Sequence, residues 1–277
     1  MPMKLWEATE DQKNKSNLFK YENFLHKRYK IKFNKNYSKL HDWSIKNPEK
    51  FWNSIWDFSN VKGKKIKKFY KSKELFKNRF FINSKLNFAE NLLSKKDNSK
   101  AITFINENGY KEIRKWNELN LNVGKISFYL KKINIKEKDR VAAYLPNLIE
   151  TVESFLATVS IGAIWSSCSP DFGVNGVIER FAQIKPKVLI LCDRYYYNGK
   201  QINVIDRLKS ILKKIKSIKN VIIINYPGKK HIKFKKNKYI KFEFWKNIQK
   251  LKPKKLEFKR FDFDHELAIL YSSGTTG

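Results

Sequence analysis

Cysteine is nearly absent: Cys168 and Cys192 are the only two in 277 residues. Each lies in an apolar or small-residue segment. Two thiols exclude a disulfide framework, and no Cys-x-x-Cys spacing is present to hold a metal. The four histidines, His26, His41, His231 and His265, have neither metal-ligand spacing nor a nucleophile motif beside them. Long apolar runs are missing too. Met1 to Lys20 is polar, and no stretch reaches the roughly 18 apolar residues of a membrane span. These absences read as a cytoplasmic protein with two small buried thiols and no metal of its own. Acidic residues are scarce as well, 26 against 59 basic, for a formal charge of +33. A dedicated polyanion surface would gather its lysines on one face among exposed aromatics. Here they are scattered along the chain with abundant Asn and Ile, the pattern of an AT-rich codon preference.

What remains is a globular composition, with 42% apolar and 15% aromatic residues. A chain of this length buries about 70–75% of its unfolded surface. Leu18, Tyr21, Phe24, Leu25 and Tyr29 fall near helical spacing, which predicts an amphipathic helix over 18–31. Asn47 as cap, Pro48 in the first turn and Glu49 at the positive end of the dipole open a second helix, with Phe51, Trp52, Ile55 and Trp56 on one face. Trp43 lies just upstream, making an aromatic cluster built for packing. Leu86 to Leu93 reads as a short helix whose polar residues either cap it or bond neighbouring loops. A helical subdomain over 1–96 is expected, followed by a second domain over 97–277.

In that second domain Ala101 to Ile105 and Tyr110 to Arg114 form a hairpin about Asn108-Gly109. Trp116 to Leu130 is helical. Strands then alternate with helices: strands at 141–144, 163–166, 188–192, 221–225 and 267–271, helices at 148–161, 174–184 and 203–215. Near-continuous apolar strands separated by helices predict an α/β fold, a largely parallel sheet covered on both faces. Ligands of such sheets bind beyond the carboxyl ends of the strands. The Lys-rich segment 226–261 reads as a surface excursion, with a small helix at 242–248.

Tyr271-Ser272-Ser273-Gly274-Thr275-Thr276-Gly277 follows the last of those strands. Two glycines and four hydroxyls allow successive N–H groups to approach a polyanion closely, as a phosphate cradle requires. A Ser/Gly linker has the same composition. The loop is not a Walker A, which needs Gly-Lys-Ser/Thr after its spacer. The loop after 163–166, Ser166 to Gly173, either approaches a ligand or only turns the chain. Asp171-Phe172-Gly173 imitates a kinase triplet, without the glycine-rich loop and His-Arg-Asp segment of that fold. His265 in Asp264-His265-Glu266 either couples to the terminal loop or is structural.

Several segments together carry a resemblance. They are Leu86-Asn87-Phe88-Ala89-Glu90-Asn91-Leu92-Leu93, Gly162-Ala163-Ile164-Trp165-Ser166-Ser167-Cys168-Ser169-Pro170-Asp171-Phe172-Gly173, Arg180 to Val188, Tyr197-Asn198-Gly199-Lys200, and Leu270 to Gly277. From about Leu40 onward the chain resembles the acetoacetyl-CoA synthetase family within the adenylate-forming superfamily, which also holds luciferases and peptide-synthetase adenylation domains. The resemblance implies ATP-dependent activation of acetoacetate as an acyl-adenylate, release of pyrophosphate, and transfer to coenzyme A, with Mg2+ accompanying the nucleotide. It implies that Ser272, Ser273, Gly274, Thr275, Thr276 and Gly277 hold the ATP phosphates. Gly199 and Lys200 fall where relatives place a Gly-Arg at the coenzyme A phosphate, Lys200 keeping the charge but not the bidentate fork. The Pro-Lys after the loop, the ribose-binding aspartate and the catalytic lysine of the family are expected beyond Gly277. These 277 residues are thus expected to be inactive alone, without the carboxyl-terminal portion. Rival readings are another short-chain acyl-CoA ligase, such as an acetyl-CoA synthetase, and a basic nucleic-acid-binding module.

Overall fold

The computed structural model of the chain describes residues 5–230, 238–253 and 256–272. The chain divides into two units, Met1–Ser84 and Lys85–Gly277.

In the first unit four helices follow one another, α1 (Glu10–Lys15), α2 (Asn17–Tyr29), α3 (Tyr37–Lys46) and α4 (Pro48–Phe58), before the two-residue strand β1 (Gly63–Lys64). The sequence predicts α2 and α4 but not α1 or α3. Their starts are marked by Thr9 and Asn36, whose side chains accept from Gln12 N and Lys39 N. Asn47 stands at the head of α4 as expected, yet its side chain makes no cap. It donates back to Trp43 O at 3.1 Å and closes α3 instead. Tyr21, Leu25, Phe33 and Leu40 form the buried centre, with Phe24, Tyr29, Trp43, Phe51, Ile55 and Phe58 packed around it. The aromatic cluster is therefore packing. Tyr21 also shares a 2.6 Å hydrogen bond with Ser54 inside it.

The second unit opens with β2 (Lys85–Leu86), α5 (Phe88–Leu92), the hairpin β3 (Lys100–Ile105) and β4 (Lys111–Lys115), and α6 (Trp116–Lys132). Then come β5 (Arg140–Tyr144), α7 (Ile149–Ser160), β6 (Ile164–Cys168), α8 (Val174–Ile184) and β7 (Val188–Cys192). A second hairpin follows, β8 (Arg194–Tyr197) with β9 (Lys200–Asn203), then α9 (Leu208–Lys214) and β10 (Asn220–Ile224). The last elements are β11 (Lys241–Phe244), α10 (Trp245–Ile248) and β12 (Phe261–Asp262).

Five strands make the main sheet in the order β11-β10-β7-β5-β6, every pair parallel. Val141, Ala142, Ala143 and Tyr144 of β5 and all of β7 are essentially without solvent exposure. That is why these segments read as continuous apolar runs. α6 packs against α7 and α10, and α8 against α9. Asn87 settles its two readings by doing both. It caps α5, accepting from Glu90 N, and its amide donates to Ser160 O at 2.9 Å and Lys259 O at 2.8 Å.

Three expectations are corrected. Residues 242–248 are not one helix on a surface excursion: Lys241–Phe244 is the edge strand β11, in register with β10, and only Trp245–Ile248 is helical. Phe242 and Phe244 alternate with Glu243, a period of two that precedes the helical pair Trp245 and Ile248. The helix expected at 203–215 starts later, because Val204 N and Ile205 N both bond Asp193 O and hold the chain in a 3-10 turn over Ile205–Arg207. The strand expected at 267–271 is reduced to a single parallel bridge, Ala268 beside Trp165. Trp165 N donates to Leu267 O and Ile269 N to Trp165 O. The carbonyl of Ile269, which would accept next in that ladder, takes the Ser166 hydroxyl at 2.9 Å instead.

His265 sits at the amino end of β6, its Nε2 3.0 Å from Gly162 O and its ring stacked on Phe261 at 4.6 Å. It is structural and stands away from the carboxyl ends. Gly162 has φ +77, and a Cβ there would overlap the Phe261 ring. Left-handed strain and overpacking act together, so Gly162→Ala is expected to destabilise by about 2–4 kcal/mol, measured by urea unfolding.

Buried carboxylates make a second prediction. Glu153 on α7 is fully excluded from solvent. Its Oε1 accepts from Asn122 at 2.8 Å and lies 2.9 Å from Arg114 Nε, whose N–H is not aimed along that line; Oε2 has no partner among the described residues. Burial outweighs the guanidinium and pushes the carboxyl up to about 7. In the unfolded chain it ionises near its ordinary value, about 4.3. Between those values the unfolded chain has released a proton that the folded one keeps, so this group removes stability as pH rises from about 4.3 to 7, then levels off. Glu153→Gln is expected to gain roughly 2 kcal/mol on the wild type between pH 5 and pH 8, read as the difference in urea midpoints at the two pH values.

Candidate functional site

The chain leaves β5 through α7 to β6 on one side, then resumes with β7 on the other side of β5. Such a reversal opens a crevice beyond the strands' carboxyl ends. A cleft of about 340 Å³ lies there, lined by Leu145 to Asn147 after β5, Ser167 to Asp171 at the end of β6, Thr151 of α7, and Tyr195 to Tyr197 of β8. α7 begins beside it with Leu148 at the N-cap and no side-chain cap bond from that residue. The first-turn amides and the positive end of a twelve-residue helix thus lie at the cleft wall.

The walls are fixed by side chains. Tyr144, the last residue of β5 and fully buried, donates to Phe172 O at 2.6 Å and also reaches Pro170 O at 3.2 Å. Arg207, just beyond the β8–β9 hairpin, donates to the Tyr144 hydroxyl, to Pro170 O at 2.6 Å and to Phe172 O at 3.3 Å. The loop after β6 is therefore a built surface that lines the cleft. Ser169 donates to Asp171 Oδ2 at 2.7 Å. Burial, with the Asp171 carboxylate, raises the Tyr195 hydroxyl's pKa. Cys168 lines the cleft, but burial pushes its thiol up to about 11, so it stays a thiol near neutrality and is no nucleophile. Cys192 is buried and raised further.

Gly199 and Lys200 are found at the tip of the β8–β9 hairpin. Asn198 at φ 51 and Gly199 at φ 73 make the two left-handed positions of a two-residue turn, with Tyr197 paired to Lys200. Gly199 N donates to Glu107 Oε1 at 3.3 Å, and the exposed Lys200 carries the positive charge of the tip. Asn-Gly between Tyr195-Tyr196-Tyr197 and Lys200-Gln201-Ile202 is a strong hairpin signal. It went unread, and with it the tyrosine wall.

Of the terminal loop, Ser272 is described and exposed, while Ser273, Gly274, Thr275, Thr276 and Gly277 lie outside the described residues. Tyr271 donates to Arg180 O on α8 at 2.6 Å. The Arg180 guanidinium lies 5.7 Å from the Tyr271 ring and 4.3 Å from the Phe172 ring. The Ser169–Gly173 loop consequently reaches both ways, with Asp171 in the cleft and Phe172 linked through Arg180 to the segment entering Ser272. Arg207 was missed, because an arginine in a 3-10 turn carries no motif, and Arg180 was read only as the start of a segment that carries the resemblance, with no role of its own. Among the described residues no group of three His, Cys, Asp or Glu is placed to hold a metal. No helix among them is long and apolar enough to cross a membrane.

This arrangement has known counterparts. Residues 37–92 match the family described as acetyl-coenzyme A synthetase N-terminus, and residues 92–277 match AMP-binding enzyme. An acetoacetyl-CoA synthetase of Gallus gallus is 39% identical over 255 residues, which cover 87% of this chain and 38% of that protein. An acetoacetyl-coenzyme A synthetase of Rhizobium meliloti is 38% identical over 244 residues, with 87% and 37% covered. Among solved structures, an acetoacetyl-CoA synthetase from Streptomyces lividans superposes with a TM-score of 0.89 at 26% identity, over 100% of this chain and 42% of the other. The chain thus spans about two fifths of the length of these relatives. With a parallel sheet, a strand-end cleft and a family match that extends from Leu92 through Gly277, the chain belongs to the AMP-binding enzyme family of adenylate-forming proteins.

Proposed function

We propose that the chain is the amino-terminal part of an ATP-dependent acid–thiol ligase that joins acetoacetate to coenzyme A, with AMP and pyrophosphate as the other products. The observation that carries this reading is the cleft at the reversal point, walled by the Asn198-Gly199 hairpin and by the loop that leads through Arg180 to Tyr271-Ser272. In this reading Ser272, Ser273, Gly274, Thr275, Thr276 and Gly277 hold the ATP phosphates through amides and hydroxyls, and Mg2+ arrives with the nucleotide. Such donors act on charge that develops on the departing pyrophosphate.

Coenzyme A enters past the hairpin in the same reading. A cleft of about 340 Å³ admits a slender polar chain, and the uncapped start of α7 favours its anionic end. Lys200 supplies the cation at the tip, offsetting the Glu107 carboxylate that already holds Gly199 N. In this reading a helical subdomain over 1–96 precedes the nucleotide-binding domain over 97–277, whereas the boundary between the compact units falls after Ser84; the whole is a cytoplasmic enzyme that needs its carboxyl-terminal portion to turn over.

A protein carrying this chain at the length of its relatives is expected to form acetoacetyl-CoA from acetoacetate, ATP and coenzyme A. Its kcat/KM for acetoacetate should exceed that for acetate or propionate by about tenfold or more, measured by AMP release. Equal or reversed preference moves the assignment to another short-chain acyl-CoA ligase. Salt-sensitive binding to DNA or RNA without any thioester favours the nucleic-acid reading instead. Residues 1–277 alone are expected to produce no thioester.

The hairpin assignment has its own test in the relative-length protein. Lys200→Ala should raise KM for coenzyme A about fivefold, the weight of one exposed charge contact of about 1 kcal/mol, and leave KM for ATP unchanged. A change in both constants, or in neither, removes Lys200 from the site.

A further inference from the structure

The two side walls of the cleft hang from strands that are not neighbours. The Ser169–Gly173 loop continues β6, and Tyr195 to Tyr197 belong to the hairpin after β7, while β5 lies between those strands in the sheet. Adjacent strands stand about 4.8 Å apart, so roughly 9.6 Å separates β6 from β7. Beyond the strand ends that gap has no ladder to hold it. Among the described residues no backbone hydrogen bond joins 169–173 to 194–203. A side chain spans it instead. Arg207 leaves the 3-10 turn that follows the hairpin, and its Nη1 reaches Pro170 O at 2.6 Å, Phe172 O at 3.3 Å and the Tyr144 hydroxyl. Tyr144, at the end of the middle strand, donates to the same Phe172 O at 2.6 Å. The turn is itself fixed, because Val204 N and Ile205 N bond Asp193 O at 2.9 and 3.1 Å and Arg207 N bonds Val204 O at 3.0 Å. Asp193 has no solvent exposure and stands immediately before the hairpin, where its carboxylate accepts from Arg194 Nη2 at 3.1 Å and Tyr226 N at 3.0 Å. Arg207 is therefore a strut, anchored at one end to the base of the tyrosine wall and at the other to the carbonyls of the opposite wall.

Holding two carbonyls from behind fixes the residue between them. Pro170 O and Phe172 O are held this way, so Asp171, which lines the cleft, is presented in one orientation beside the Tyr195 hydroxyl. We infer that Arg207 is a positioning residue that sets the gap between the Ser169–Gly173 loop and the Tyr195–Tyr197 wall, and through that gap the affinity for coenzyme A. This rests on the proposal that coenzyme A enters the cleft, and it adds to that proposal a residue that acts through the walls. A gap formed in advance spares the ligand the ordering of two loops on binding. Without the strut the loop samples other orientations, and the apparent affinity falls by the fraction of molecules that still hold the binding-competent one.

The test measures coenzyme A binding to the 277-residue chain by isothermal titration calorimetry, with amide hydrogen exchange of the 169–173 segment and far-ultraviolet melting curves. Arg207→Met keeps the stem and removes the donors. It is expected to weaken coenzyme A about tenfold, as for a cleft that is competent about one tenth of the time, and to speed exchange in 169–173 while β5 and β7 stay protected. Arg207→Lys keeps a donor on a flexible stem and should recover part of the lost affinity. Lys200→Ala probes the cleft reading separately. Weaker binding in Lys200→Ala with none in Arg207→Met overturns the positioning role and leaves the coenzyme A reading standing. Faster exchange in Arg207→Met with unchanged affinity overturns it too, since the strut then serves the fold alone. A wild-type chain that binds no coenzyme A overturns both readings. Should Arg207→Met melt early, Tyr144→Phe provides the second variant. It keeps the buried ring, removes a donor from Phe172 O and the hydroxyl that Arg207 uses, and is expected to weaken binding several-fold; unchanged affinity there, with unchanged folding, also defeats the proposal.

Discussion

The register of β5 between β6 and β7 is the constraint on which the carboxyl end of the sheet depends. Val141 pairs with Trp165 on one side and Val188 on the other, and Tyr144 with Cys168 and Leu191. A slip by one residue would turn every side chain to the opposite face and carry Tyr144 away from the loop it holds. With both faces buried, such a slip exchanges side chains of different volume between two packed layers, so the register is specified by packing on both sides. The reversal of strand order about β5 then places three different connections, those after β5, β6 and β7, around a single crevice.

Those connections have no sheet partners of their own, and their backbone groups must be satisfied otherwise. Tyr144 and Arg207 do this for Pro170 and Phe172, which share both donors. The same economy appears at Asn87, which caps a helix and meets two remote carbonyls, and at Asp193, whose backbone carbonyl receives Val204 N and Ile205 N while its side chain receives Tyr226 N. Irregular segments at the strand ends are thus held by buried polar side chains. Their loops can remain small and close to a ligand without loosening.

Much of this was readable in the residues. β7 matches its expected bounds at Val188 and Cys192, and α8 matches at Val174 and Ile184, because an apolar run closed by a charged residue and a helix opened after Gly173 leave little ambiguity. The parallel sheet followed from strands too apolar to face water. Where the reading failed, the deciding partner lies far away in sequence. Nothing local to Leu267–Tyr271 reveals that Ser166 takes the Ile269 carbonyl, and nothing local to Phe242 reveals that β10 offers a free edge. The candidate site divides the same way. Ser272 and the Gly199-Lys200 tip were proposed from local composition and resemblance. The two arginines that organise the walls act through carbonyls and rings 35 or more residues distant in the cases of Pro170, Phe172 and Tyr271, and a window of sequence cannot display that.

The charge balance bears on specificity. With 59 basic residues against 26 acidic, almost any anion is drawn to this surface, and long-range attraction alone selects nothing. Several of the scarce acids are held in defined pairs, such as Glu90 with Arg260 at 2.9 Å through both oxygens and Asp139 with Lys187 at 2.8 Å. Selection then has to come from cations whose geometry is fixed before the ligand arrives. An exposed lysine brings a point charge on a mobile stem, whereas a guanidinium clamped by rings or carbonyls presents donors in a set plane. Arg180 is held by rings and Arg207 by carbonyls. On a surface where positive charge is common, it is therefore immobility, not charge, that distinguishes a residue able to read the shape of an anion.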